Sequence, residues 1–153
     1  MSEDLRDLYQ EVILDHGRRP RNKRLLETAN HLAHGENPLC GDKLTVFVKV
    51  NGQGVIEDVS FQGQGCAIST ASASLMTEVM MGKTEAEAAA LFASFHALAT
   101  GAPPPDAAGL EDEMDRLDVL AGVREYPVRV KCATLAWHTL QAALHDQQRV
   151  TTE

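Results

Sequence analysis

Apolar residues recur at Leu5, Leu8, Tyr9, Val12 and Ile13. The i, i+3, i+4, i+7, i+8 stripe predicts an amphipathic helix over about residues 4–16. Gly17 and Pro20 stop it. His16 falls in its last turn, where a structural histidine is the default reading. From Gly17 to about Leu39 no periodicity survives. A loop of this length is uncommon inside a domain unless it is functional or disordered, and this one ends on Pro38-Leu39-Cys40-Gly41-Asp42-Lys43. His31 and His34 within it read first as surface polar residues and only second as ligands.

Residues 44–50 are β-branched and aromatic, Asn51-Gly52-Gln53-Gly54 supplies turn chemistry, and residues 55–62 form a second such run. Together they predict a β-hairpin. Gly63-Gln64-Gly65-Cys66 then leads into a helical pattern with Ile68, Leu75, Met76 and Val79 on one face, closed by Gly82. Thr84-Glu85-Ala86-Glu87 is a capping box opening an Ala-rich helix to about Leu98, with Leu91, Phe92 and Phe95 inward. Residues 100–109 read as a loop, 110–119 as a short acidic helix and 120–127 as a connector. Val128-Arg-Val-Lys-Cys132 leads into a last helix from Ala133 to Leu144, and the polar tail beyond His145 is expected to fray. On this reading Cys66 and Cys132 both stand at helix N-termini, where the macrodipole and free N–H groups favour thiolate. No internal repeat is present.

Composition narrows the class. With 153 residues, 44% hydrophobic and 24% charged, the chain can bury one core without disulfides and reads as one domain. A net charge of −8 argues against a nucleic-acid partner. The one basic cluster, from Arg18 to Arg24, reads as a solvated loop, with a docking patch for an acidic protein as the sharper alternative. The acidic start lacks a signal-peptide layout, and no apolar run is long enough to span a membrane, so a cytoplasmic protein without a membrane partner is expected. In that reducing compartment three cysteines are ligands or nucleophiles before they are disulfides.

Cys40, Cys66 and Cys132 with Asp42 make four anionic groups, the number a tetrahedral divalent metal accepts. Their wide spacing is not that of a zinc finger, so the case rests on convergence at one edge of the domain. Around a dication the set keeps two negative charges, which Lys43 and Lys131 would partly offset. One oxygen among three thiolates suits an exchangeable site, with Cys40, on the glycine-bearing loop, as the ligand that swings free as nucleophile. Other chemistries lack support. Nothing frames a Cys–His dyad with His31, His34 or His138, and no zinc-deaminase signature, dinucleotide fingerprint or P-loop occurs.

Cys40-Gly41-Asp42, the run from Gly63 to Ser72 and the run from Arg129 to Trp137 resemble the three cysteine motifs of the IscU/NifU N-terminal family, which serves iron–sulfur cluster assembly. The opening from Leu8 to His16 is similar too, and the likeness runs from about residue 5 to 146. Lys131 stands where IscU scaffolds carry His, and an extra segment, about residues 102–123, precedes the third motif. Both features resemble the SufU branch. The resemblance implies an α+β fold over residues 1–153, a small antiparallel sheet of about three strands, one from the N-terminal loop region, with helices packed on one face. It further implies Zn(2+) held by Cys40, Asp42, Cys66 and Cys132, with iron or a [2Fe-2S] cluster as the alternative. Cys40 would accept persulfide sulfur from a SufS-like, PLP-dependent cysteine desulfurase. The chain would then be a sulfurtransferase-like partner in the assembly machinery, not an independent hydrolase or redox enzyme. The alternative function is a scaffold on which a [2Fe-2S] cluster is built and handed on.

Overall fold

The computed structural model describes residues 3–103, 105 and 109–152, with side chains from residue 9 onward. Helix α1 (Glu3–Arg18) is followed by three strands, β1 (His31–Asn37), β2 (Asp42–Val50) and β3 (Ile56–Gln64). Helices α2 (Ala67–Met80), α3 (Glu85–Thr100) and α4 (Glu111–Leu117) come next. A 3-10 segment (Asp118–Glu125), helix α5 (Pro127–Leu144) and strand β4 (Arg149–Thr151) complete the order. The fold is α+β as expected, but the sheet has four strands in the order β3-β2-β1-β4. It is mixed and not purely antiparallel, because β4 runs parallel to β1 with His34 opposite Arg149.

The hairpin forms where its pattern placed it. Asn51 closes the turn with its side-chain Oδ1, which accepts from the N–H groups of Gln53 and Val55 at 2.9 and 3.0 Å. Leu44, Val46, Val48 and Val50 on β2 line up with Val59 and Phe61 on β3, all buried. Each such side chain contributes about 1.5–3 kcal/mol relative to exposure. The face they form is covered by α2 and α5, on which α1 and α3 pack. Trp137 of α5 is fully buried, stacked on Phe95 at 4.3 Å, and donates its Nε1–H to Ser72 at 3.0 Å. The capping box of α3 is present, with Glu87 N–H on Thr84 Oγ1 at 3.1 Å and Thr84 N–H on Glu87 Oε1 at 3.0 Å.

Strand β1 emerges from the stretch without periodicity. Its inward row is Ala33, Gly35 and Asn37, all buried. That row is small because α5 lies against it: a Cβ on Gly35 would come 2.0 Å from Thr139 Oγ1. The C-terminal tail does not fray, since the free edge of β1 captures it. The N–H of His34 bonds Gln148 O at 2.8 Å and that of Thr152 bonds Glu36 O at 3.1 Å. Helix α5 begins at Pro127, six residues before the expected Ala133. The alternating Val128 and Val130 imitate a strand, but proline at the first helical position favours helix entry.

On α1, Tyr9, Val12 and Ile13 pack on the core; the side chains of Leu5 and Leu8 lie outside the described residues. The loop expected over residues 100–109 is described only in part: α3 runs on to Thr100 and is closed by Gly101 in the left-handed conformation, φ 77°. The basic cluster is largely answered within the chain. Arg19 and Arg21 pair with Asp15 at 2.6 and 2.7 Å, and Arg24 pairs with Asp58 at 2.8 Å. Those arginines hold the Asp15 carboxyl below the usual range. No helix among the described residues is long and apolar enough to cross a membrane.

Candidate metal centre

The expected ligands arise from three separate places that meet at one end of the sheet. Cys40 sits in the turn joining β1 to β2, closed by its own N–H on Asn37 O at 3.2 Å. Gly41 beside it has φ 72°. Asp42 opens β2 opposite Asn37, and Cys66 follows the end of β3, where Lys43 faces Gln64. Cys132 comes from the second turn of α5, whose inner face lies against β1.

Three of the four groups converge: one ligand atom each from Cys40, Asp42 and Cys132 lies within 4.8 Å of the others. The Cys40 and Cys132 sulfurs are 3.1 Å apart, and all three cysteines are free. Cys40 is half-buried, Cys132 buried. Asp42 is wholly buried: Oδ1 accepts the Cys66 N–H at 2.8 Å, while Oδ2 has no partner among the described residues. A buried carboxylate oxygen with nothing to bond is costly. A cation held there, with two sulfurs alongside, removes that cost.

Cys66 departs from the other three. As expected it caps a helix: its sulfur accepts the Ser69 N–H at 3.4 Å at the start of α2, and it lies outside the close group. Its charge still bears on Cys132. Cys132 does not share the helix-end setting expected for it. Its thiol is pushed upward, first by burial and then by its closeness to Cys40, Asp42 and Cys66. A dication bound beside the thiol would act in the opposite direction. Lys43 is exposed, on the sheet face opposite to Asp42. With His34, Glu36 and Arg149 it lines a groove there, away from the ligands.

Two further residues shape the centre. Gly65 makes room for it, since a Cβ there would stand 2.9 Å from Asp42 Oδ1 and 3.1 Å from Ser69 Oγ. Asn37 is fully buried, with Nδ2 at 3.7 Å from Cys132 Sγ. The Asn37-Pro38 dipeptide signals a turn, but nothing in the sequence shows that the amide reaches a sulfur on the last long helix. His16, expected to be structural, is buried with Nδ1 at 2.7 Å from Ser74 Oγ. His34 is exposed and bonds Thr45 Oγ1 at 2.8 Å, while His31 lies near Asp146 at 3.2 Å.

Residues 8–133 match the description of the NifU-like N terminal domain. The zinc-dependent sulfurtransferase SufU of Bacillus subtilis (strain 168) is 37% identical over 145 residues, covering 95% of both chains. The iron-sulfur cluster assembly scaffold protein IscU of Streptococcus pyogenes serotype M1 is 39% identical over 140 residues, 92% of this chain and 84% of that one. Among solved structures, a putative iron-sulfur cluster assembly scaffold protein for the SUF system from Fervidobacterium islandicum AW-1 superposes with a TM-score of 0.80. It is 33% identical, over 94% of this chain and 99% of its own.

Proposed function

This chain belongs to the family of the NifU-like N-terminal domain, and from that premise we propose that it is a zinc-dependent sulfur acceptor. It takes persulfide sulfur onto Cys40 from a PLP-dependent cysteine desulfurase. Its role lies in iron–sulfur cluster assembly, as with its IscU and SufU relatives. The observation that carries the finer reading is the wholly buried Asp42, one oxygen unpaired, beside the Cys40 and Cys132 sulfurs.

The donor set fits zinc: Cys40, Asp42 and Cys132 would hold the ion, with Cys66 at the start of α2 as the fourth donor. Bound zinc would keep these thiols ionised near neutral pH. The rest is this chain's own work. Cys40, half-buried beside Gly41 and next to the exposed Leu39, moves outward when the partner docks. Leu39 beside Cys40, and Tyr126 and Val128 at the start of α5, are exposed apolar side chains that give the partner a surface to bury. The Cys40 thiolate then attacks the outer sulfur of the donor's persulfide. A new bond forms between Cys40 Sγ and that sulfur, the donor's S–S bond breaks, and the donor cysteine leaves as thiolate with no net change in oxidation state.

Metal analysis of purified protein, joined to a cysteine desulfurase assay, tests the reading. Near-stoichiometric zinc and stimulation of the desulfurase are expected, and Cys40→Ala should abolish the stimulation. A Cys40→Ala protein that stimulates like the wild type would sink it. The second reading, a scaffold for a [2Fe-2S] cluster, is favoured by the Streptococcus relative's name. It predicts a stable brown species on anaerobic reconstitution that passes its cluster to an apo-ferredoxin.

A further inference from the structure

Asn37 puts an amide where packing alone would put an apolar group. It ends the inward row of β1 after Ala33 and Gly35, and none of the three is exposed to solvent. Its Oδ1 is buried without a partner among the described residues. An orphaned amide oxygen is costly, so the fold gains little from this side chain. The turn does not need it either, because the bond from Cys40 N–H goes to the main-chain oxygen of residue 37, which any residue offers. The side-chain bond it does make runs from Nδ2 to Cys132 Sγ, 3.7 Å away and 95 positions along the chain.

The geometry points to Asn37 as the positioning residue that pins the Cys132 sulfur, so that exchange at the centre falls on Cys40. The inference rests on the zinc-site reading and adds which thiol is held. An N–H donor on an ionised sulfur makes a charge-assisted bond, and groups that brace a metal ligand from behind fix its orientation and strengthen its hold. Cys132 has that brace, together with a rigid helix and burial. Cys40 has a main-chain bond on a turn with Gly41 beside it. The two thiols differ in how firmly they are held before any metal binds.

The test uses the full chain loaded with zinc, as wild type, Asn37→Val (no amide, close in volume, suited to a strand end) and Asn37→Gln, which keeps an amide donor. Zinc affinity is read by competition with a chromophoric chelator. Iodoacetamide labelling of each cysteine is followed by mass spectrometry, and circular dichroism reports folding; Asn37→Ala replaces the valine variant if that fails to fold. Wild type should label at Cys40 well before Cys132. In Asn37→Val zinc affinity should fall about ten- to a hundredfold, and Cys132 should label at a rate approaching that of Cys40. Asn37→Gln should recover part of both. A folded Asn37→Val with wild-type zinc affinity and labelling order overturns the inference alone. Wild-type protein that takes up no zinc overturns the zinc reading, and this inference with it.

Discussion

The β1–β2 turn and the second turn of α5 each bring one sulfur to the same point, 3.1 Å apart, by opposite means. The turn presents Cys40 half-exposed between Leu39, 63% exposed, and a glycine in the left-handed conformation. The helix presents Cys132 at 2% exposure, inside a hydrogen-bonded ladder and braced by Asn37. Asp42 stands between them, wholly buried. On the proposed zinc reading, such a pairing would let one centre keep its cation while one thiol exchanges. The firm hold would then come from the core side and the exchange from the solvent side.

The largest break in that comparison is expected from Cys132→Ser. It removes the anchored sulfur, so zinc affinity should drop beyond the ~100-fold typical of outer changes, with loss of desulfurase stimulation; chelator competition reads the first and the enzyme assay the second. Asp42→Asn should come next. It keeps an acceptor for the Cys66 N–H and removes the charge, so metal content should fall while circular dichroism stays that of the wild type. Gly65→Ala pushes a methyl toward Asp42 Oδ1 and Ser69. A cost of about 1–3 kcal/mol is expected in denaturant unfolding, with weaker zinc binding, although no ligand has been touched.

The smallest effect sharpens the comparison from the far side of α2. Burial pushes His16 below its ordinary imidazole value, and Arg21 and Arg116 act the same way against Glu78 and Asp15. The unfolded chain then binds the proton more readily than the folded one. This contribution to stability is therefore complete above the ordinary value of 6.5 and declines as pH falls below it. His138, also lowered mainly by burial, adds in the same direction. Urea unfolding of metal-free protein at pH 8 and pH 5.5 should show the loss, and His16→Gln should reduce it. A slope unchanged in that variant would remove His16 from the account.

Where the pattern of side chains was strong, it foretold structure well. The hairpin, the capping box at Thr84 and the cap at Cys66 are local chemistry, written in a few consecutive residues. The residue pattern showed no strand at β1, which only the family resemblance supplied, and it took β4 for a frayed tail, both for a shared reason. Ala33 and Gly35 are small because a helix some hundred positions away presses on them, and β4 exists because β1 has a free edge. Neither cause is near in the chain.

The α+β class and most of the elements were thus legible in the sequence, as were Cys40, Asp42 and Cys132 as candidates for one cluster. The three-dimensional structure alone decided which of them meet, that Cys66 holds back at the α2 terminus, and that Cys132 lies within a helix and not at its start. Local preference acts through neighbours a few residues apart, whereas a metal-sized gap among side chains is a property of packed surfaces. Only when α5 is laid on β1 does Cys132 come within reach of Cys40, and no stretch of consecutive residues carries that distance.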